Sequence, residues 1–392
     1  MNPAVYIKQQ LMGFMVSDTR RSIAHFRGRL KRRSKPVVYY FHQVNDPYSH
    51  IADQKLEQLR DRYAVDFISH WVSMPEAVFQ GDSSRFRNWA LRDAKTVAPF
   101  YGADLPDDFA NTPPQRLEET DAGNRLRKRL GHYLSGTFYF EGEWYWGLDR
   151  LFHLENRLIS SGLSWDPDSI CVPRPEAESA TGVVASYITL EYFPSLRSPY
   201  SAISYDRTID LANRSGVTLK LRPVMPMMMR GVPAPRAKQF YIMTDAKREA
   251  DYYGIPFGNI VDPFGEPVKR AFALFPYMQE IGRDVEYCSN FLRAAWAEGI
   301  NITTDAGLKS VVTESGGNWK EAMKRNDDWQ SLLDNNVTDM LNEGLWGVPS
   351  FRVSGVSEEA FSCWGQDRLW RVETEISRRA KSGRPEGRNL AL

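Results

Sequence analysis

Tyr187–Ile188–Thr189–Leu190–Glu191–Tyr192–Phe193 and, after four intervening residues, Ser198–Pro199–Tyr200–Ser201 form the stretch that decides the fold. The β-branched and aromatic run reads as a strand. Serine favours the residue that caps a helix, and proline fits the first helical position because the N–H it lacks would have no partner there. The same order occurs earlier in the chain. Val37–Val38–Tyr39–Tyr40–Phe41–His42–Gln43–Val44–Asn45 is followed directly by Asp46–Pro47–Tyr48–Ser49. Each helix start leads to a second strand-like run, at 65–71 and 217–222.

The ends of the two segments also match. Phe138–Tyr139–Phe140–Glu141–Gly142 with Tyr145–Trp146–Gly147–Leu148–Asp149–Arg150 parallels Phe351–Arg352–Val353–Ser354–Gly355 with Cys363–Trp364–Gly365–Gln366–Asp367–Arg368. The Pro-Tyr-Ser elements lie 152 residues apart and the Gly-x-Asp-Arg elements 218 apart, so the second copy holds about 66 more residues in its middle. Two matches in one order imply a tandem duplication. The extra residues read as helices at 238–253, 271–281, 285–298, 306–313 and 319–333, with Gly or Pro between them.

Composition bounds the chemistry. The chain has 392 residues, 42% hydrophobic and 25% charged, which is the make-up of a soluble globular protein of two or three domains. No apolar run approaches the roughly 18 residues of a membrane span. The three cysteines, Cys171, Cys288 and Cys363, stand far apart without a CxxC, which argues against a disulfide framework or zinc site and suits a reducing compartment. All six histidines precede residue 154, so a Ser-His-Asp triad around Ser198 within its own copy is excluded. His42, Asp46 and His50 fall near the first helix start, where an acid–base or metal site and plain loop polarity are both open.

The net charge of +1 conceals an uneven distribution. Residues 1–35 hold nine basic residues and one acid, a net of +8, and the rest, with 41 basic and 48 acidic residues, carries −7. That acidic body is a poor nucleic-acid surface. In the basic extension most of the charge follows the apolar stretch instead of preceding it, unlike a secretory signal. Val5, Leu11, Phe14 and Met15 form one face of a short helix. That segment is a solvated helix docked on the first domain, a frayed terminus or, with Arg20, Arg21 and the run 31–33, a surface for an anionic membrane or acidic partner.

Ser198–Pro199–Tyr200–Ser201 after a strand, Leu221–Arg222–Pro223, Gly347–Val348–Pro349 and Trp364–Gly365–Gln366–Asp367–Arg368 together resemble the DsbA-like thioredoxin superfamily, in its branch of 2-hydroxychromene-2-carboxylate isomerases and kappa-class glutathione transferases. The resemblance covers about 184–380 well and 36–160 as a degenerate copy. It implies an α/β fold of two tandem thioredoxin-like domains, each interrupted by a helical insert. The expected layout is a basic extension at 1–35, a degenerate domain at 36–160, a linker at 161–183, a catalytic domain at 184–380 with its insert at about 238–340, and a tail at 381–392, with the basic, Gly- and Pro-bearing chain after Arg378 expected to be disordered.

The resemblance also implies glutathione as cosubstrate, no metal, and Ser198 as the active-site serine. A thiol with its pKa above neutral needs help to ionise, and a helix N-terminus plus a hydroxyl donor supplies it. Serine cannot form a mixed disulfide, so disulfide exchange at the Ser198 and Ser201 positions is excluded. Further contacts to glutathione are implied for Pro199, Tyr200, Lys238, Asp245, Val348, Pro349, Gln366, Asp367 and Arg368. Val348–Pro349 matches a cis-proline element whose backbone pairs with the cysteinyl amide. Gln366 and Asp367 match the residues that hold the γ-glutamyl end. The run Met225–Pro226–Met227–Met228–Met229–Arg230–Gly231 departs from the family pattern and suits an apolar pocket lining. In the first copy Asp46 replaces the serine, and Gly136–Thr137 is expected at the Val-Pro position.

The reading is a cytoplasmic glutathione-dependent isomerase or transferase acting on an apolar, aromatic small molecule, with the first copy as a built-in dimer mate and further oligomerisation open. The alternative is a binding or scaffold protein that kept the fold, or a DsbA-family protein lacking CxxC.

Overall fold

A computed structural model of the chain describes residues 3–32, 35–110, 117–182, 185–325, 327–356 and 359–382. It divides into two units, one holding Val16–Pro175 with Val232–Ile242, the other Met1–Met15, Glu176–Gly231 and Met243–Leu392.

Two helices open the chain, α1 (Pro3–Met15) and α2 (Asp18–Leu30). They are separate because Ser17 leaves helical geometry and its hydroxyl accepts from Arg20 N at 3.2 Å, starting a new helix. α1 belongs to the Ser198 unit, where Lys8 pairs with Asp262 at 2.9 Å and Gln9 donates to Asn259 Oδ1 at 2.7 Å. α2 belongs to the other unit.

In the first domain β1 (Val37–His42) runs parallel to β2 (Asp66–Trp71), and the crossover carries α3 (Pro47–Asp53) and α4 (Leu56–Arg62). An insert of α5 (Ala77–Gln80), α6 (Ser83–Val97) and α7 (Leu117–Arg129) follows. The chain returns as the antiparallel hairpin β3 (Thr137–Phe140) and β4 (Glu143–Trp146) and ends in α8 (Leu151–Ser160). The sheet order is β2-β1-β3-β4. Tyr40, Phe41, Phe138 and Phe140 are fully buried in it, and Tyr40 stacks on Phe138 with centroids 4.6 Å apart.

The second domain repeats this order. β5 (Thr189–Phe193), α9 (Pro199–Ser215) and β6 (Thr218–Leu221) form its first half. The larger insert comprises α10 (Arg236–Tyr252), α11 (Glu266–Glu280), α12 (Asp284–Arg293), α13 (Asp305–Glu314), α14 (Trp319–Ala322) and α15 (Trp329–Asn342). The hairpin β7 (Ser350–Ser354) and β8 (Phe361–Trp364) and the helix α16 (Leu369–Ser382) complete it. The sheet order, β6-β5-β7-β8, matches that of the first sheet, and Tyr192 stacks on Phe351 at 5.2 Å as Tyr40 does on Phe138. Buried Glu191 of β5 is held by Arg222 at 2.7 Å and Arg352 at 2.5 Å, which satisfies the one charge in that strand.

Two sequence expectations change. The single helix expected over 319–333 is two, because Asn318 caps the first turn and Asp328 starts another by accepting from Ser331 N at 3.0 Å. The tail expected to be disordered past Arg378 begins as helix. Arg379 is 1% exposed, bonds Glu375 at 2.7 Å and donates to Gly355 O at 2.8 Å, while 383–392 lie outside the described residues. Of the linker expected at 161–183, residues 161–175 fall in one unit and 176–182 in the other. Ala64 N donates to Leu163 O at 2.8 Å in one, and Ala180 N donates to Glu373 at 3.2 Å in the other.

Candidate functional site

β5 ends at Phe193, whose register partner in β7 is Ser350, and Ser350 in turn pairs with Trp364 of β8. The loop leading to α9, the residues entering β7 and the residues leaving β8 therefore gather at one end of the sheet. Topology alone brings together Ser198, Val348–Pro349 and Gln366–Asp367–Arg368.

Ser198 caps α9 with extended backbone, and its Oγ accepts from Ser201 N at 3.1 Å. Ser201 Oγ accepts from Ser195 N at 3.1 Å, which fixes the loop against the first turn. The Ser198 hydroxyl keeps its own proton to give, since a hydroxyl accepts and donates at once. Pro199 removes one donor from the first turn and Tyr200 continues it. Arg197, just before the cap, is held by Asp262 at 2.9 Å and lies over the Phe264 ring at 4.6 Å. Burial would raise the Asp262 carboxyl, but Arg197 and Lys8 hold it below the usual carboxylate range.

Across from this loop the Val348–Pro349 peptide is cis. Val348 is half-buried, and its N–H and C=O have no backbone partner among the described residues, so an extended ligand has an edge to pair with. Gly347 must be glycine: a Cβ there would lie 2.2 Å from the Trp364 indole.

Three of the expected ligand contacts are engaged elsewhere in the protein. Asp245 is 1% exposed, accepts from Tyr200 OH at 2.8 Å and is ion-paired with buried Arg248, so its carboxylate is engaged within the domain. Gln366 is 2% exposed and its amide donates to Glu249 at 2.7 Å, itself fully buried. Lys238 falls in the other unit, where it donates to Phe79 O at 2.8 Å, and burial lowers its pKa to about 8. Asp367 remains half-buried with Arg368 Nη1 3.8 Å from its carboxylate. The Met-rich run forms a 3-10 turn at Met227–Arg230 with no fully buried residue, tied down by Arg230 donating to Met225 O and Trp346 O at 3.1 and 3.2 Å.

Sequence reasoning missed Ser195. It is fully buried in the loop before the cap, and its hydroxyl has no hydrogen-bond partner among the described residues. A buried orphan hydroxyl beside a helix N-terminus calls for an acceptor. No protein thiol competes for the role. Cys288 and Cys363 are buried, and Cys171 is pushed up to about 11, first by burial and then by Glu155.

The first domain repeats the framework and alters the chemistry. Asp46 caps α3, accepting from Ser49 N at 3.0 Å as Ser198 does from Ser201 N, and Ser49 Oγ accepts from Gln43 N at 3.2 Å. Tyr48 OH bonds Asp93 at 2.7 Å, the counterpart of Tyr200 and Asp245. The position opposite the cap shifts by one from expectation. Thr137 pairs with Phe41 as Ser350 does with Phe193, and Gly147 N bonds Gly136 O as Gly365 N bonds Pro349 O. Ser135–Gly136 is thus the true counterpart of Val348–Pro349. Gly136, at φ 61°, passes so close to the helix start that a Cβ would lie 3.2 Å from Ser49 N. Ser135 Oγ donates to Asp46 at 3.1 Å, and burial raises the Asp46 carboxyl despite these bonds. A cavity of about 60 Å³ sits here between Asp46, Ser135, Phe86 and Trp146. His42 faces Asp53 at 3.8 Å and His50 meets Phe109 edge-on with ring centroids 5.8 Å apart, so neither is directed at Asp46. Among the described residues no three His, Cys, Asp or Glu side chains are placed to hold a metal.

Residues 189–377 match the DSBA-like thioredoxin domain family. The chain is 25% identical over 202 residues to a 2-hydroxychromene-2-carboxylate isomerase of Pseudomonas putida, covering 48% of this chain and 94% of that protein. Among solved structures it is similar to a 2-hydroxychromene-2-carboxylate isomerase at 21% identity and a TM-score of 0.40, covering 50% of this chain and 97% of that one. It is also similar to the cytosolic disulfide reductase DsbM of Pseudomonas aeruginosa with GSH at 18% identity and a TM-score of 0.37, covering 49% and 99%.

Proposed function

Because residues 189–377 form a DsbA-like thioredoxin domain, we propose that the chain is a glutathione-dependent isomerase or transferase for an apolar, aromatic substrate, with Ser198 holding the glutathione sulfur as thiolate. The observation that carries the reading is the Ser198 cap itself: a hydroxyl on the first turn of a long helix, with serine and not cysteine at 198 and at 201. The named isomerase relative supports the reaction class.

The physics of that cap is favourable. A hydrogen bond to a charged group contributes about 1.5–3 kcal/mol, and a helix N-terminus adds about 0.3–1 kcal/mol. At about 1.36 kcal/mol per pKa unit, the pair lowers a bound thiol by about one to three units. Val348 N–H and C=O pair with the cysteinyl amide of the tripeptide, and Asp367, beside Arg368, faces its γ-glutamyl ammonium. Pro199 and Tyr200 shape the first turn under the sulfur.

In the isomerase reaction the thiolate adds to a conjugated carbonyl compound, converting a carbon–carbon double bond into a single bond. The negative charge moves to the carbonyl oxygen. Rotation follows, the electron pair returns, and the C–S bond breaks to release the isomer and the thiolate. Nothing is oxidised or consumed. Calorimetry with glutathione tests the reading. Saturable binding at or below millimolar ligand is expected. An absence of heat at millimolar glutathione overturns it in favour of a scaffold that kept the fold.

A further inference from the structure

α2 is an amphipathic helix docked the wrong way round. At about 100° per residue, Ile23, Phe26 and Leu30 form one stripe, and Arg21, His25, Gly28 and Arg32 run along the opposite side. The polar side faces the protein. His25 bonds Glu143 at 2.9 Å, Arg21 lies 3.3 Å from the same carboxylate, and Arg32 lies 3.7 Å from Glu141. Gly28 makes this approach possible, since a Cβ there would lie 2.5 Å from the Glu141 carbonyl. The apolar side is left outside: Ile23, Phe26 and Leu30 are 40%, 58% and 68% exposed, and no residue of the helix is buried. A solvent-facing helix in a soluble domain carries the reverse pattern.

The charges around the stripe indicate what covers it. Arg27 and Arg29 flank it on its two sides and Lys31 follows. All three are exposed, and their cationic groups have no hydrogen-bond or ion-pair partner among the described residues. An apolar stripe edged by arginines, whose stems lie along apolar surface while their heads stay wet, fits an interface of hydrocarbon and negative headgroups. A second copy of this face would bring the same unpaired cations against these. We propose that α2 seats this protein on an anionic phospholipid surface, with Ile23, Phe26 and Leu30 in the acyl boundary and Arg27, Arg29 and Lys31 on the phosphates.

Sedimentation of the full chain with vesicles tests this. Phosphatidylcholine vesicles containing about a third phosphatidylserine are expected to bind at least about tenfold more tightly than pure phosphatidylcholine, with the gain lost at about 1 M salt. Arg27→Gln with Arg29→Gln is expected to cut binding by about thirtyfold, since each base near such a surface is worth about fivefold. Phe26→Ser with Leu30→Ser is expected to cut it at least tenfold, with thermal unfolding unchanged because these side chains are exposed. Equal affinity for the two vesicles, no binding, or wild-type binding by either variant overturns the proposal. A dimer seen by light scattering that Phe26→Ser dissolves would assign the stripe to a second copy and overturn it equally.

Discussion

Ser198→Ala is expected to lower glutathione-dependent turnover by about tenfold to a hundredfold while leaving the protein folded. The hydroxyl does two jobs. It accepts from Ser201 N at 3.1 Å, and its proton is available to a bound thiolate. Loss of the cap costs about 1 kcal/mol of stability. Loss of a donor to a charged sulfur costs about 1.5–3 kcal/mol, and that difference falls on the thiolate and on every step that uses it. Ser198→Asp separates the two jobs. The first domain shows that an aspartate caps this turn well, as Asp46 accepts from Ser49 N at 3.0 Å. The variant should keep its stability and lose turnover further, because a carboxylate repels the thiolate. Steady-state rates with glutathione and an α,β-unsaturated aromatic ketone, beside urea unfolding of each variant, decide it. Wild-type rates in Ser198→Ala would remove Ser198 from the reaction.

Asp245→Ala is expected to be the most destabilising single change near the site, by about 3–5 kcal/mol. Asp245 and Arg248 are 1% and 4% exposed and form an ion pair, and Tyr200 OH donates to the same carboxylate at 2.8 Å. Removing the anion breaks this buried ion pair and takes away the acceptor of the Tyr200 hydroxyl. For a domain of this size the unfolding midpoint should fall by about 6–20 °C. Tyr200→Phe deletes only the hydrogen bond and should cost about 1 kcal/mol. A loss below about 1 kcal/mol in Asp245→Ala, measured by calorimetric or urea unfolding, would contradict the ion pair.

Much of the architecture was legible because the duplication is written twice in local signals. The β-branched runs at 37–42 and 189–193, each followed by a cap and proline, correspond to β1 with α3 and β5 with α9. The Val348–Pro349 element stands where the sheet register puts it, opposite the Ser198 loop. Side-chain commitments were not legible. Lys238 and Asp245 lie seven residues apart on α10, which suggests a shared face, yet Arg236–Ile242 pack with one unit and the rest of the helix with the other. Gln366 carried a binding signature and spends its amide on Glu249, a partner 117 residues away. Ser195 had no signal at all, because a serine in a turn before a helix is ordinary and only burial makes its hydroxyl notable. The first-domain counterpart of Val348–Pro349 was misplaced by one residue, since only strand register distinguishes Ser135–Gly136 from Gly136–Thr137. The amphipathic face expected in residues 5–15 was sought in one helix, whereas Ser17 starts a second that turns its polar side inward.

This helix start, without a cysteine of its own, is proposed to ionise the thiol of glutathione. Ultraviolet thiolate absorbance of glutathione bound to the protein, titrated against pH and compared with free glutathione, measures that directly. The expected pKa is at least about one unit lower when bound, with a return to within a few tenths of the free value in Ser198→Ala. An unchanged pKa in the wild-type complex, or an equally lowered one in Ser198→Ala, would contradict it.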